Sequence, residues 1–485
     1  MMETHAAPQE QVPRKTSSCL CVDLDGTLVR TDTLIESVLA YVRMQPLRLF
    51  RVLRWLFLGK AGFKRELGRA VKLQPDALPY DRDVLEYIQS EARAGRKLIL
   101  VTAADSSIAI PVAEHLDIFS QVICSEGEVN VSGKAKLAAI RKELGNKDFG
   151  YVGNSSTDLP VWCGANSAVI VGASDRVLRA VEHSGVTIER VFPRRHRTIR
   201  TIAKEVRIHQ WTKNALVLIP ILLGHRVFDR IILLNGIRAF IAFSFVASAI
   251  YLINDLMDLT TDRKHARKKH RPLAAGDLSI PAGIGLTLAL LAAAALVNPT
   301  REAALILALY SASALAYSFY LKRLLMIDVI MLAGFYTLRM LYGGAAVNIE
   351  VSIWTLAFSM FMFLSLALIK RISELHAQSS EEGLSRSGRG YLRADLPQLT
   401  ALCAASGLVS SLILILYVRS PEVAPLYSHA EILLGLFPLL AYWQGRLLVL
   451  ANRGSISGDP IVFAIFDRAS QAVAVGLLMI IAAAI

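Results

Sequence analysis

The strongest constraint on this chain is a change of solvent partway along it. From about residue 214 to residue 485 the sequence is a succession of apolar runs, most of them near the ~20 residues a helix needs to cross a bilayer. The first 200 or so residues instead mix charged and apolar positions as a water-exposed domain does. A purely soluble enzyme is therefore excluded. A purely membrane-embedded protein is excluded as well, because the first part is long enough to form a domain with its own core. Spans are expected near 213–225, 234–253, 280–298, 301–320, 328–347, 352–370, 398–418, 428–449 and 463–484, about nine transmembrane helices. Residues 1–17 are polar and lack the apolar stretch of a secretory signal, so they read as a disordered lead-in to a domain that stays in the cytoplasm.

Charge fixes the orientation. Lys and Arg number 53 against 40 Asp and Glu, a net +13. With a cytoplasmic N-terminus, the inward loops hold Arg263, Lys264, Arg267, Lys268, Lys269, Arg271, Lys322, Arg323, Lys370, Arg371, Arg386, Arg389, Arg393, Arg446 and Arg453, fifteen cations. The outward loops hold only Arg226, Arg230, Arg301 and Arg419. That asymmetry is the positive-inside pattern. Because the basic residues cluster beside apolar spans, anionic lipid or phosphate is the expected partner and nucleic acid is not. The five cysteines, Cys19, Cys21, Cys124, Cys163 and Cys403, show no metal-ligand spacing and read as reduced and structural.

In the first part, an apolar run into residues 18–27, then 97–102 (KLILVT), 121–124, 149–152 and 168–171 read as buried parallel strands with helices between them. The alternation predicts a doubly wound, Rossmann-like α/β sheet over 18–190, with a basic linker over 191–212 and the membrane domain over 213–485. Between the first two strands, 34–69 is helical, basic and strongly apolar. It is either a cap packed on its own domain, at about 34–70, or an amphipathic helix on the membrane surface.

Chemistry is expected where such strands end. Asp23-Leu24-Asp25-Gly26-Thr27 places two carboxylates two residues apart at the carboxyl edge of the sheet. One can attack phosphorus while the other carries a proton to the leaving group. Thr102 ends a second strand, Lys136 follows Gly133, and Gly153-Asn154-Ser155-Ser156-Thr157-Asp158 follows a later strand. With these four spaced motifs, the segment from 18 to about 180 resembles the haloacid dehalogenase superfamily of phosphatases. The resemblance implies Asp23 as nucleophile, Asp25 as general acid and base, and Thr102 and Lys136 as phosphate holders. It also implies Mg2+ near Asp23, Asp25, Asn154 and Asp158, with Asn154 standing where that family usually has aspartate. A catalytically silent docking domain is the competing reading.

A second constellation begins where the second span ends, with Asn254, Asp255, Asp258, Asp262 and His265. On a continued helix these five lie within about 100° of arc. Three carboxylates together repel one another unless a cation sits among them, and a Mg2+-chelated diphosphate is the expected guest. Arg267, Lys268, Lys269 and Arg271 follow directly. They suit a second, free phosphate, or serve simply as a positive-inside stop. Tyr317, Lys322 and Asp328 form another cytoplasmic turn, with Lys322 for phosphate and Asp328 for ligand or a second metal. Arg339 lies eleven residues further on the same helical face. A charge there costs roughly 2.5–3.5 kcal/mol to insert, so it either contacts ligand in a cavity or pairs between helices. Lys370, Arg371 and Glu374, then Arg389 and Tyr391, and then Asp459, Asp467 and Arg468, lie on the same membrane face.

Residues 205–485 resemble the UbiA superfamily of intramembrane transferases, whose N-D-x-x-D-x-x-x-D motif is read here from Asn254 to Asp262. The likeness is nearer to decaprenyl-phosphate phosphoribosyltransferases. It is carried by Arg207, His209, Trp211, Lys213 and Asn214, by 251–276, and by Lys322, Asp328, Lys370, Arg371, Glu374, Asp459, Asp467 and Arg468. A second D-x-x-x-D of the aromatic prenyltransferases is missing, since Leu332 follows Asp328 by four. The resemblance implies transfer of 5-phosphoribose from phosphoribosyl diphosphate to a polyprenyl phosphate, decaprenyl or undecaprenyl, in a bacterial inner membrane. The fused phosphatase would then remove the 5-phosphate on the way to a cell-surface polysaccharide. An aromatic prenyltransferase and a lipid flippase or scaffold are the alternatives, and the sequence leaves room for a homo-oligomer.

Overall fold

The computed structural model describes residues 17–45, 49–57, 59–126, 130–194, 198–377, 390–420, 427–456 and 458–484. The lead-in over 1–16, Arg386 and Arg389 lie outside them. The chain forms two compact units. One runs to Val206 and includes Leu252–Gly285, and the other comprises Arg207–Tyr251 and Leu286–Ile485.

The first unit is built on a six-stranded, wholly parallel sheet in the order β3-β2-β1-β4-β5-β6. Its strands are β1 (Cys19–Val22), β2 (Lys97–Asp105), β3 (Gln121–Ser125), β4 (Phe149–Gly153), β5 (Ser167–Val171) and β6 (Thr187–Phe192). Alternate residues of β1 enter opposite cores: Leu20 and Val22 pack on one face, Cys19 and Cys21 on the other. That two-sided burial is why the strands read as unbroken apolar runs. β6 escapes the sequence reading because its exposed edge position leaves TIERVF polar. β1 is central, with β2 and β4 on its two flanks. The chain crosses from one side of the sheet to the other here, where α/β sheets bind ligands.

Between β1 and β2 lie α1 (Thr33–Met44), α2 (Leu49–Leu56), α3 (Gly59–Ala70) and α4 (Arg82–Arg93). Tyr41, Val52, Phe63, Leu67 and Val71 from the first three helices and just beyond make a small core of their own, the kind of packing a cap would have. The remaining helices of this unit are α5 (Ser106–Leu116), α6 (Lys134–Leu144), α7 (Leu159–Cys163), α8 (Asp175–His183) and α9 (Ile199–Val206).

Among the described residues seven helical segments are long and apolar enough to cross a membrane: Arg230–Met257, Ile280–Val297, Arg301–Phe319, Ile327–Val347, Ile353–His376, Arg393–Val418 and Ala430–Asn452. A bent pair, Pro460–Phe466 with Arg468–Ala484, makes an eighth if counted as one span. Two expectations change. The 213–225 run is not a span: it becomes part of a 3-10 segment, Ile208–Leu218, and a five-residue helix α10 (Ile219–Leu223). At ~1.5 Å per residue, thirteen residues reach only about 20 Å of the ~30 Å core. The final span, read as continuous over 463–484, bends by 83° at Asp467. There the Asp467 carboxylate takes both terminal nitrogens of Arg446, at 2.7 and 2.9 Å, and accepts from the Ser470 N–H.

After the 3-10 segment, which carries Lys213, come α11 (Arg230–Met257), α12 (Leu259–Lys264) and α13 (Pro272–Ala275). After α14 (Ile280–Val297) and α15 (Arg301–Phe319) come α16 (Ile327–Val347) and α17 (Ile353–His376). The 3-10 segment wedges against α16, where a Cβ on Gly343 would stand 2.0 Å from the Val217 carbonyl oxygen. Only glycine permits that approach.

Candidate functional site

Asp23 follows β1 directly, its N–H bonded to the Val152 carbonyl of β4 at 3.0 Å. The chain then folds back on itself, with Gly26 at φ +70°. A Cβ at Gly26 would stand 2.2 Å from Asn154 Nδ2, so glycine serves both the left-handed turn and the Asn154 contact. Lys136 Nζ, buried at the start of α6, donates to Asp23 Oδ1 at 2.8 Å, to Tyr151 Oη at 2.9 Å and to Asp158 Oδ1 at 3.3 Å. Tyr151 donates to the same Asp158 oxygen at 2.7 Å, and Asp158 Oδ2 accepts from the Asn154 and Ser155 N–H groups.

One lysine thus faces two buried carboxylates, with a third nearby. Burial raises the Asp23 carboxyl to about 6, helped by the Asp158 charge and opposed by Lys136. Burial, then the Asp32 and Asp23 charges, raise Asp25 to about 7, against the Thr33 N–H that bonds it at 2.8 Å. A carboxyl paired with a lysine, beside one that exchanges protons near neutrality, is an arrangement that could serve phosphoryl transfer. Acidic oxygens in excess of local cations are also the donor set that a hard divalent ion takes.

Asp23, Asp25, Lys136, Asn154 and Asp158 line one cavity of about 480 Å3, together with Phe63, Lys64 and Leu67 from the cap side. Thr102 is fully buried, its Oγ1 accepting from the Ala104 N–H, and the cavity wall is made by Ala103 and Ala104 instead. Lys64 and Tyr151 were not expected here. Lys64 Nζ reaches from α3 to the Ala103 carbonyl at 2.7 Å and Asn130 Oδ1 at 3.1 Å. Its helical spacing in a basic segment carries no mark of that role.

The second constellation does not stay on one helix. α11 ends at Met257 and Asp258 begins α12, so the expected continuous face is broken. Asp255 and Asp262 are nonetheless brought together, since Arg271 Nη1 bonds Asp255 at 2.8 Å and Asp262 at 2.5 Å. Lys268 stands 3.5 Å from the other Asp262 oxygen, which is buried and has no hydrogen bond. Two carboxylates converging on one cationic nitrogen mark a cation position with hard oxygen donors, so Mg2+ fits the donor chemistry. Asn254 and Asp258 are partly exposed, while His265, Arg267 and Lys269 are exposed. His265 Nδ1 accepts from the Arg267 and Lys268 N–H groups. Among the described residues no group of three or more Asp, Glu, His or Cys is gathered as a closed metal cage.

In the membrane unit, Asp459 binds Lys213 at 2.5 Å and Lys370 at 3.4 Å. Asp328, fully buried, is held by Arg371 Nε at 2.6 Å and by the Tyr391 hydroxyl. Arg371 also pairs with Glu374 at 2.5 Å. Arg339 bonds Asn214 Oδ1 at 3.0 Å and the Phe335 carbonyl at 2.7 Å, over the rings of Phe243, Tyr310 and Tyr336. The cost of its charge in the membrane is met by these contacts. Lys322 and Tyr317 are partly exposed, and Arg468 opens the helix beyond the bend at Asp467.

Residues 20–162 match the haloacid dehalogenase-like hydrolases and residues 217–451 the UbiA prenyltransferase family. The chain is 36% identical over 457 residues to an uncharacterized protein of Sinorhizobium fredii, spanning 93% of this chain and 88% of that one. It is 34% identical over 283 residues to a nodulation protein of Azorhizobium caulinodans, covering 58% of this chain and 91% of the relative. It is 31% identical over 296 residues to the decaprenyl-phosphate phosphoribosyltransferase of Mycobacterium tuberculosis, covering 59% and 94%. With relatives matched over nearly their whole length, the chain belongs to the UbiA prenyltransferase family, its multi-pass membrane domain preceded by a haloacid dehalogenase-like α/β domain.

Proposed function

We propose that this is a bifunctional enzyme of the bacterial inner membrane that builds a ribose-bearing polyprenyl phosphate in two steps. In the first, 5-phosphoribose passes from phosphoribosyl diphosphate to the phosphate oxygen of a polyprenyl phosphate, and diphosphate leaves. In the second, the α/β domain hydrolyses the 5-phosphate. The observation that carries this reading is the convergence of Asp255 and Asp262 on Arg271, in a chain 31% identical to a decaprenyl-phosphate phosphoribosyltransferase that also carries the Asp23, Asp25 and Lys136 cluster. One domain would make a phosphomonoester and the other is equipped to cleave one.

Asp255, Asp258 and Asp262 would hold magnesium, which when bound offsets the charge developing on the departing diphosphate. Asn254 and His265 would orient the donor. Arg271, Lys268, Lys269 and Arg267 supply charge-assisted hydrogen bonds to phosphate oxygens. Lys213, Lys322, Lys370 and Arg371 serve the lipid phosphate, and Tyr317, Asp328, Arg339, Asp467 and Arg468 shape the bed around it. The apolar helices solvate the prenyl chain.

In the α/β domain Asp23 attacks phosphorus, the bond from phosphorus to the ribose oxygen breaks, and Asp25 protonates that oxygen. Asp25 then takes a proton from the water that cleaves the aspartyl phosphate. Lys136 steadies the phosphoryl oxygens, and Asp23, Asp25, Asn154 and Asp158 would hold the second magnesium. The excess of Lys and Arg in the inward loops supports a cytoplasmic position for both sites.

The test incubates full-length protein in lipid nanodiscs with Mg2+, phosphoribosyl diphosphate and decaprenyl phosphate, and weighs the lipid product. A ribose adduct is expected from the wild type and a phosphoribose adduct from Asp23→Asn. Unmodified lipid refutes the proposal.

A further inference from the structure

Six residues are too few to hold a helix in water without outside support, yet α12 carries Asp262 and is begun by Asp258. Its support comes from the α/β domain in the same compact unit. Arg263, next to Asp262, places Nη2 2.6 Å and Nη1 3.2 Å from the two oxygens of Glu36 in the first turn of α1. Both side chains are more than nine-tenths buried. The remaining reach of Arg263 goes to two carbonyls. Nη1 meets Ala77, at the foot of the cap, and Nε meets Ala274, three residues beyond Arg271. One side chain therefore grips α12, the 271–275 turn and the cap together.

A second contact runs alongside. Arg30, just after the Asp23–Thr27 loop, bonds Asp81 at 2.9 Å and the Ala275 carbonyl at 3.4 Å. Gly276, at φ +76°, approaches so near that a Cβ there would stand 2.6 Å from Arg30 Cβ. The Lys264–Asp76 pair at 2.8 Å is half exposed and adds little. On the other side of the latch, Thr33 at the start of α1 bonds Asp25. Glu36 thus follows by three residues the one whose N–H bonds Asp25.

We infer that Glu36 and Arg263 form a latch by which the phosphatase-like domain positions the aspartate segment of the transferase, so that the first reaction depends on a residue of the second domain. Neither side chain touches substrate. Both are positioning residues, and the inference rests on the proposed transferase reading for its kinetic part only.

The experiment compares Glu36→Gln, Arg263→Gln, their double variant and Arg263→Lys, all full-length in nanodiscs. It measures diphosphate release and hydrogen exchange. Each Gln variant is expected to raise KM for phosphoribosyl diphosphate at least fivefold and to speed exchange across Leu259–Lys264 and Pro272–Ala275. Arg263→Lys should recover part of the loss. Because both changes break one latch, the double variant should match the singles. Unchanged exchange in β1 and β4 shows that the domain is folded. If 259–275 keeps wild-type exchange in both single variants, or if the two effects multiply in the double, the latch is refuted. Should the wild type release no diphosphate, the reaction assignment fails, while the exchange cycle still decides the latch.

Discussion

Replacing Lys136 by Met keeps the length and most of the volume of the side chain while removing the one cation between Asp23 and Asp158. In the folded protein Nζ lies 2.8 and 3.3 Å from these carboxylates, and the three side chains are 3–8% exposed. Removing one partner of a buried ionic cluster leaves uncompensated charge and costs about 3–5 kcal/mol. The cost must depend on pH. Burial already raises Asp23 to about 6, above its unfolded value, so its contribution to stability is full below that unfolded value and fades as pH rises through about 6. Without Lys136 the folded carboxyl rises further. The variant should therefore lie near the wild type at pH 5 and fall away by several kcal/mol at pH 8 in chelator, with Mg2+ restoring part of the loss. Urea titration read by hydrogen exchange of the β4 peptide (Phe149–Gly153) isolates this domain from the membrane helices. A deficit equal at pH 5 and pH 8, or larger at pH 5, would refute the electrostatic account of the cluster.

Two further outcomes follow from the same cavity. Gly26→Ala should abolish dephosphorylation while costing about 1–2 kcal/mol of stability, since it forces a Cβ into the left-handed region and against Asn154; accumulated phosphoribosyl lipid and near-normal exchange in β1 check it. Asn154→Asp adds a carboxylate to the donor set and should lower the Mg2+ concentration for half-maximal dephosphorylation about tenfold or more, measured by metal titration. No change in that concentration would remove Asn154 from the metal site.

What the sequence made legible was chemistry tied to local pattern. Asp23, Asp25, Lys136 and Asp158 could be placed because parallel strands buried on both faces announce themselves and reactive groups sit where they end. The aspartates after α11 were equally visible as a spacing, but the break at Asp258 was not, because a helix leaving the bilayer has no sequence mark when its support comes from elsewhere. Lys64 and Glu36 look like ordinary charges on amphipathic helices. Their partners are Asn130 and Arg263, and 227 positions separate Glu36 from Arg263, beyond the reach of any periodicity. The short run over 213–225 misled in the other direction, since apolarity alone does not distinguish a wedge under α16 from a crossing.

The packing of Leu252–Gly285 with the N-terminal domain also sets an order in time. At roughly 5–20 residues per second of synthesis, Arg263 follows Glu36 by about 10–45 s. During that interval Glu36 is without the guanidinium that pairs it in the folded protein. The N-terminal unit is thus completed late in synthesis, by a segment that follows the first helix long enough to cross a membrane.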